Sequence, residues 1–326
     1  MKLIHRSTVR SLVASIAVLA SSIAGAQGAF PSKAIHVINP YAAGGVVDIL
    51  TRAMTENMAK SMNVPFVIDA RPGGAGSIGT EFVAQSPADG YTWLIATTSN
   101  AANMALMPNL RTDFATGFVP VAQFAYSPNY FVVPASLPVS TVAEYVALAK
   151  ASPGKLSYGS AGIGSTPHLG FELFKYVAGI DVVAVPYKGA PPIIPDLVSG
   201  QLSATYMPAP LAIAQAKSGR VKVLAVVNET RTKDFPNVPT IAEAGYPKAV
   251  VAPWFAVVVP AATPRATVDR IEREIKQAVA APEVVQRFES AGAVPLYRPG
   301  TEVRQRVQDE IASWRALAKA TGLKAE

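Results

Sequence analysis

Cysteine is absent from the 326-residue sequence, and histidine is scarce, with three copies. Without cysteine the chain has no lipid-anchor site, disulfide framework, thiol nucleophile or cysteine-ligated metal. His5 lies in the N-terminal leader, which leaves His36 and His168. The sequence also lacks an H-x-x-x-H motif, a paired-carboxylate motif and a P-loop, and residues 158–162 lack the first glycine of a G-x-S-x-G elbow. We therefore predict that the protein is not an enzyme and has no catalytic residues, cofactor or metal.

The sequence has no basic stripe. Its formal net charge is +7 at pH 7, and the balance is +4 without the leader charges Lys2, Arg6 and Arg10. The remaining lysines and arginines are scattered and do not alternate with aromatic residues, so we expect no nucleic acid partner. The small positive balance suits an anionic ligand without requiring one.

Long hydrophobic runs are missing, apart from one near the N-terminus. The leader charges precede an apolar segment, Ser11 to Ala24, which ends in Ala24-Gly25-Ala26. A positive start, a short apolar run and an A-x-A site are typical of a Sec signal peptide. We predict a signal peptide at 1–26, cleavage after Ala26 and a periplasmic location. The run is too short to span a bilayer, which takes roughly 20 residues.

Strand-like and helix-like segments alternate through the rest of the sequence. Apolar residues follow the first strand at helical spacing (Leu50, Met54, Met58), and this pattern repeats. Such alternation predicts parallel sheets covered by helices. We predict an α/β fold of two lobes, with a parallel-rich sheet in each and two crossover strands near 125–133 and 250–259.

The predicted domains follow from these two crossings. Lobe 1 is discontinuous, from 27–128 and 255–326, and lobe 2 is 129–254. The remaining length, about 300 residues, is more than one ordinary core holds. A ligand of such a protein binds in the cleft between the lobes, where strand C-termini and helix N-termini meet.

Residues 74–79, GAGSIG, match the pattern G-x-G-x-x-G. A dinucleotide site of this kind needs an acidic residue roughly 20 positions further on. The next strand instead ends in Thr97-Thr98-Ser99-Asn100, and Arg71-Pro72-Gly73 separates the preceding strand from the motif. We favour a tight glycine turn that lets a helix pack closely on a sheet, with the nucleotide site as the weaker alternative.

Three strand-to-helix loops, 40–45, 97–100 and 160–166, consist largely of glycine, small hydroxyl residues and other small or amide residues. None contains a carboxylate. The start of a helix carries unpaired N–H groups and about half a positive charge, which makes an anion site without cations. The residues predicted to bind the ligand are Tyr41, Ala42, Ala43, Gly44, Thr97, Ser99, Asn100, Ser160, Gly164, Ser165 and Thr166.

Several such loops are needed to hold one carboxylate. Removing its water costs several kcal/mol, and each charge-assisted hydrogen bond returns roughly 1.5–3 kcal/mol. Three or four donors from both lobes return more free energy than the loss of water costs. The alternative for any single loop is that Gly, Ser and Thr are common in turns and caps.

Three further side chains have open roles. His168, just inside the helix that Ser165 opens, is a candidate ligand residue as a donor to a carboxylate or as a cleft wall; equally, it caps its own turn. Asp48 lies in the first turn of a helix, where a carboxylate satisfies free N–H groups; contact with a ligand amine is the alternative. Lys188 is the cation of a strand-end loop, and solvent exposure is the simpler explanation.

Four stretches together resemble the Bug-type (TctC-like) periplasmic solute-binding receptors of tripartite tricarboxylate transporters. They are NPYAAGGVVDILTRAM (39–54), VIDARPGGAGSIGTEFVAQSPADGYTWLIAT (67–97), 154–202, and VPTIAEAGYP (238–247) with APWFAVVVPAATP (252–264). The resemblance implies a two-lobed, hinge-closing receptor of the Venus-flytrap kind, a type II periplasmic binding protein. It also implies a small carboxylate ligand, often held through main-chain groups and bridging water, and handover to a membrane permease by what we expect to be a monomer.

Two departures from the family pattern bear on the ligand. The first loop of the family usually reads Pro-Phe-Pro-x-Gly-Gly, whereas Tyr41 adds a hydroxyl here. Where the family usually has a polar or acidic residue, this chain has Tyr206 followed by the predicted wall residues Met207, Pro208 and Ala209. We therefore expect a dicarboxylate or aromatic carboxylate without an amine. The alternatives are a co-receptor that presents its ligand to a membrane histidine kinase and, less favoured, an enzyme of unknown class.

Overall fold

The computed structural model describes residues 30–107, 109–162, 165–187 and 189–323. The predicted signal peptide, Gly164 and Lys188 therefore lie outside the described residues. Within the described ranges, no helix combines the length and apolar character that crossing a membrane requires.

Strands and helices alternate along the chain, as the sequence pattern predicts. The strands are β1 (Ile35–Asn39), β2 (Phe66–Ala70), β3 (Thr92–Thr97), β4 (Phe118–Tyr126), β5 (Asn129–Pro134), β6 (Ser157–Ser160), β7 (Val183–Pro186), β8 (Ala204–Pro208), β9 (Val221–Val227), β10 (Trp254–Pro260) and β11 (Val294–Pro299). The helices are α1 (Val46–Met62), α2 (Ser77–Ala84), α3 (Thr98–Leu106), α4 (Phe114–Gly117), α5 (Val142–Ala151), α6 (Thr166–Ala178), α7 (Ile193–Val198), α8 (Ala209–Lys217), α9 (Arg265–Ala280), α10 (Pro282–Ser290) and α11 (Gly300–Thr321).

The strands form two sheets. The first has six strands in the order β11-β4-β10-β3-β1-β2, and the second has five in the order β7-β6-β8-β5-β9. The α/β fold class is confirmed. Both sheets contain parallel and antiparallel pairs. In the first sheet, β10 is antiparallel to β3 and β4, and β11 is antiparallel to β4. In the second sheet, β5 is antiparallel to β8 and β9. Parallel pairs link β1 to β2 and β3, and β6 to β7 and β8.

The chain crosses between the sheets twice. It leaves the first sheet after Tyr126 and enters the second at Asn129, then returns to the first at Trp254. The two crossing segments touch, since the Ser127 N–H donates to the Pro253 carbonyl at 2.8 Å. The assignment of 27–128 and 255–326 to one lobe and 129–254 to another stays a prediction.

Each sheet is covered on both faces, because successive side chains of a strand point to opposite sides. In β3, Trp93 and Ile95 pack in a cluster with α1 and α9, whereas Leu94 and Ala96 pack in a cluster with α3 and α11. Leu169 of α6 also belongs to this second cluster. α6, which connects two strands of the second sheet, thus packs into a core cluster of the first sheet.

The structure differs from the sequence pattern in several elements. The third strand was expected to run to Asn100, but it ends at Thr97 and α3 follows without a loop. Near the C-terminus, α10 and β11 lie between the two long helices α9 and α11, and the pattern described above predicts neither. Pro282 starts a new helix at its first position, where proline is favoured. β11 contains two prolines and lies at the sheet edge, where proline is tolerated.

The glycine-rich segment 73–79 is a tight turn that places α2 against the first sheet. Gly73 and Gly76 have φ of +127° and +93°, which favours glycine over other residues. A Cβ on Gly79 would lie 3.2 Å from the Pro40 Cα. This close approach supports the packing explanation of the G-x-G-x-x-G pattern over the nucleotide site.

Candidate ligand-binding site

The first predicted loop, 40–45, is organised by Asn39 and Tyr41. The Asn39 Oδ1 accepts the Tyr41 N–H at 3.0 Å, so the loop turns immediately after β1. The Tyr41 hydroxyl bonds the Thr97 hydroxyl at 2.8 Å. Burial raises the pKa of Tyr41, while hydrogen bonds with Ser99 and Thr97 oppose the rise. The phenol therefore stays neutral and joins the first loop to the second.

The tip of this loop exposes its main chain. Ala42, Ala43 and Gly44 are exposed. Gly44 has a φ of +81°, and a Cβ placed on it would meet nothing within 4 Å. The N–H groups of Ala42 and Ala43 have no protein acceptor of their own among the described hydrogen bonds. These are the groups that the anion prediction requires.

Asp48 satisfies the start of α1. Its Oδ2 accepts the Gly44 N–H at 3.1 Å and the Arg52 Nε–H at 2.9 Å, and its Oδ1 accepts from the second Arg52 nitrogen at 3.2 Å. Burial pushes the pKa of Asp48 upward, but the hydrogen bonds from Arg52 and Gly44 outweigh it and hold the pKa below its ordinary value. The carboxylate is ionised and already paired within the protein.

The second loop, 97–100, is the capped first turn of α3. The Thr97 side chain accepts the Ser99 N–H at 3.3 Å, and the Asn100 Oδ1 accepts the Thr97 N–H at 2.8 Å, which makes a capping box. The Asn100 amide also donates to the Thr80 hydroxyl at 2.8 Å. Thr97 and Asn100 thus bond within the protein, as the alternative for a single loop foresaw, and Ser99 lies beside Tyr41.

The third loop lies at the end of β6. Ser160 is fully buried, and its hydroxyl has no hydrogen-bond partner among the described residues. Ser165 donates its hydroxyl to the Gly162 carbonyl at 2.7 Å and accepts the His168 N–H at 3.4 Å, so it caps α6. Thr166 is half-buried in the first turn of that helix. Buried hydroxyls are normally bonded, which makes Ser160 a candidate ligand or water contact.

His168 is buried at the start of α6. Burial lowers the pKa of its imidazole, with Glu172 opposing the change and Lys175 adding to it. Glu172 in turn accepts from the Lys175 ammonium and from the Tyr158 hydroxyl, both at 2.7 Å. The imidazole is therefore neutral at pH 7 and offers a hydrogen bond rather than a positive charge.

The predicted wall at the end of β8 is apolar but mostly inside the protein. Met207 is 1% exposed and Ala209 3% exposed, and both pack in the cluster beneath the second sheet. Pro208 is half-buried. Met207 is therefore a core side chain, and Pro208 is the wall residue that keeps exposed surface.

Sequence reasoning missed two asparagines at the same sheet edges. Asn39 ends β1, and Asn129 begins β5 opposite Pro208. Both are buried, and in each the Nδ2 lacks a hydrogen-bond partner within the described part of the chain. In the sequence, the signal for both was an asparagine next to a run of mainly apolar residues. In the described ranges, no group of three or more His, Asp or Glu side chains is arranged to hold a metal.

Helices α3 and α6, which follow the second and third loops, pack into one hydrophobic cluster. Leu169 and Leu173 of α6 share a hydrophobic cluster with Ala101 and Ala102 of α3. Leu169 and Ala101 are each the fourth residue of their helix, within its first turn. The starts of both helices therefore border the same hydrophobic cluster. The assignment of particular residues to a ligand stays a prediction.

Known proteins are similar to this chain over most of its length. The profile described as "Tripartite tricarboxylate transporter family receptor" matches residues 50–323. Protein BugT of Bordetella pertussis is 33% identical over 297 residues, which covers 90% of this chain and 91% of BugT.

Two solved structures extend the comparison. A TctC solute-binding protein from Polaromonas has a TM-score of 0.81 at 27% identity, over 89% of this chain and 99% of that one. An R. palustris protein solved with adipate has a TM-score of 0.74 at 34% identity, over 90% of this chain and 99% of that one. The chain has the two-lobed fold of periplasmic binding proteins, and it belongs to the tripartite tricarboxylate transporter receptor family.

Proposed function

We propose that this protein captures a small dicarboxylate or aromatic carboxylate in the periplasm, between its two sheets, and delivers it to a membrane permease. The ligand residues are those predicted on the three loops, with His168 and Pro208 beside them. The exposed main chain at 42–43 carries the proposal, because the Ala42 and Ala43 N–H groups lie just before α1 and have no protein acceptor among the described hydrogen bonds. The adipate held by the R. palustris relative belongs to the same chemical class.

The pairing of Asp48 supports a ligand without an amine. Recognition of an ammonium group calls for a free carboxylate, and Asp48 is held by Arg52 and the Gly44 N–H. Breaking these bonds for a ligand costs roughly 1.5–3 kcal/mol for each charged hydrogen bond. Pro208, in the segment after residue 205 where the resemblance implies a polar or acidic residue, adds apolar surface.

Calorimetric titration with adipate, terephthalate, citrate and aspartate tests the ligand class. We expect one of the first three to bind more tightly than aspartate. A ligand at 100 times its Kd adds about 2.7 kcal/mol of stability, so a thermal-shift screen of organic acids finds weaker candidates. Tightest binding to aspartate contradicts the absence of an amine. Stabilisation by sugars or amines alone contradicts the carboxylate site itself.

A pair of glycine substitutions tests the site. Gly44→Ala and Gly219→Ala both place a Cβ in open space at a φ near +80° or +70°, so their backbone strain is similar. Only Gly44 lies in the proposed site; Gly219 precedes β9 at the far end of the second sheet. We expect Gly44→Ala to weaken carboxylate binding and Gly219→Ala to leave it unchanged. Equal affinities in the two variants would remove the first loop from the site.

Binding without chemical change separates a receptor from an enzyme. We expect ligand recovered from the purified protein to have its original mass and NMR spectrum. Delivery is tested in cells, where deletion of the gene is expected to abolish uptake of the labelled ligand, and the Gly44→Ala gene is expected to restore uptake less well than the Gly219→Ala gene. Normal uptake with a lost transcriptional response would instead support the kinase co-receptor.

A further inference from the structure

Glu229 joins the two halves of the molecule through both of its carboxylate oxygens. Its Oε2 lies 2.5 Å from an Arg298 nitrogen, and its Oε1 lies 3.1 Å from an Arg306 nitrogen. Glu229 follows β9 of the second sheet, whereas Arg298 is in β11 and Arg306 in α11, which belong to the first sheet and its helices. One carboxylate therefore holds two guanidinium groups across the boundary between the sheets.

The network continues to a crossing segment of the chain. Arg306 also donates to Glu310 at 2.9 Å, and Glu310 accepts the Trp254 indole N–H at 2.8 Å. Trp254 is the first residue of β10, where the chain returns from the second sheet. The contacts thus run from the second sheet, through α11, to a segment that connects the two sheets.

Neighbouring contacts show that the halves also meet here through uncharged groups. A Cβ on Gly292, just before β11, would lie 2.4 Å from the Pro210 ring at the start of α8. The Ser127 hydroxyl, in the other crossing segment, donates to the Gly292 carbonyl at 3.1 Å. The Glu229 contacts are therefore part of a continuous boundary rather than a single long-range ion pair.

We propose that Glu229, Arg298 and Arg306 form a tether that holds the two halves in the orientation described here and so sets the balance between this orientation and others. An isolated exposed ion pair contributes little. The Glu229 contacts differ because each carboxylate oxygen pairs with its own guanidinium group. In addition, the side chains of Arg306 and Arg298 are only 16% and 29% exposed. A ligand that needs this orientation would bind a protein already arranged for it.

The lack of cysteine allows a direct measurement. Lys150 at the end of α5 and Lys319 near the end of α11 are exposed and lie on opposite sides of the boundary. Spin labels on a Lys150→Cys/Lys319→Cys protein report the distribution of distances between the halves without any ligand. The result is therefore independent of the proposed function.

Glu229→Gln is expected to shift or broaden this distribution, with about a fivefold change in the ratio of paired to unpaired orientations, the upper end for a part-exposed ion pair. Raising salt from about 0.05 to 1 M, which screens such pairs, is expected to move the parent protein towards the Glu229→Gln distribution. The variant is expected to change less, because the ion pair that remains across the boundary among the described residues, Lys233 with Glu289 at 3.8 Å, is exposed. Arg298→Gln is expected to act in the same direction. If Glu229→Gln fails to fold, Arg298→Gln and the salt series still give the answer.

Glu243→Gln is the matched control. Glu243 pairs with Arg231 at 2.8 Å, close to Glu229 in the sequence, but both partners lie between β9 and β10 on the same side of the boundary. We expect its distance distribution to equal that of the parent. Identical distributions for the parent, Glu229→Gln and Arg298→Gln at both salt concentrations would overturn the tether.

Discussion

Replacing Thr97 with valine tests how the first two loops are held together. Valine keeps the shape of threonine and removes the hydroxyl. That hydroxyl bonds the Tyr41 hydroxyl at 2.8 Å and accepts the Ser99 N–H at 3.3 Å as the cap of α3. The change therefore removes one cap and one hydrogen bond between loops in a single step.

The expected loss follows from these two contacts. Loss of a helix N-cap costs about 1 kcal/mol, and loss of a hydrogen bond between neutral groups costs about 1 kcal/mol more. We expect the free energy of unfolding to fall by about 2 kcal/mol, which corresponds to a drop in Tm of about 3 °C for about 300 residues at an unfolding entropy of about 2.1 cal/mol/K per residue. Thr141→Val is the matched control, because Thr141 caps α5 by accepting the Glu144 N–H and makes no contact with the site.

Urea unfolding of four proteins decides the matter: Thr97→Val, Tyr41→Phe, the double variant and Thr141→Val. Both site substitutions remove the same hydroxyl–hydroxyl bond, so we expect the double variant to lose about 1 kcal/mol less than the sum of the single variants. Thr141→Val is expected to lose about 1 kcal/mol. Additive stability losses in Thr97→Val and Tyr41→Phe, together with a loss in Thr97→Val no larger than that in Thr141→Val, would refute the bond between the two loops.

Two further predictions concern backbone fit and pH. Gly300→Ala places a Cβ 2.1 Å from the Pro120 carbonyl oxygen, so we expect the free energy of unfolding, measured in urea, to fall by about 3 kcal/mol. Gly45→Ala, whose nearest contact is 3.5 Å, is the control and is expected to change stability little. Equal stabilities of the two variants would contradict the close packing of Gly300 on Pro120. Burial lowers the pKa of His168, so the unfolded chain takes up a proton first as pH falls, and stability present at pH 7.5 is expected to decline below about pH 6.5. His168→Gln should weaken this decline and the exposed His36→Gln should not, and an unchanged pH dependence in His168→Gln would contradict the buried neutral imidazole.

Much of the fold could be predicted because hydrophobic spacing and turn residues agree along most of the chain. The helix expected from VVDILTRAMTENMAKSM matches α1, Val46–Met62. The end of β3 was placed too late because Thr97 ends the strand and caps α3 at once, so no loop separates them. β11 was missed because its pattern is interrupted by two prolines, which only its edge position makes acceptable.

The site was less accessible to sequence reasoning. Composition identifies which residues can donate at a helix start, and Thr97, Ser99 and Asn100 do stand at one. It does not identify which donors are already used, since that depends on partners such as Thr80 and Tyr41 that are distant in sequence. Asn39 and Asn129 were overlooked for the converse reason, because only tertiary structure shows that the Nδ2 of each has no hydrogen-bond partner among the described residues.

The position of α6 has a consequence for any attempt to divide the protein. Leu169 and Leu173 are 2% and 7% exposed, and they complete a cluster built mainly on the first sheet. A fragment made of the second sheet and its helices alone would leave these leucines uncovered, and the complementary fragment would have a gap where they fit. Melting should accordingly be one cooperative event, and neither half is a self-sufficient module for transplantation into another receptor.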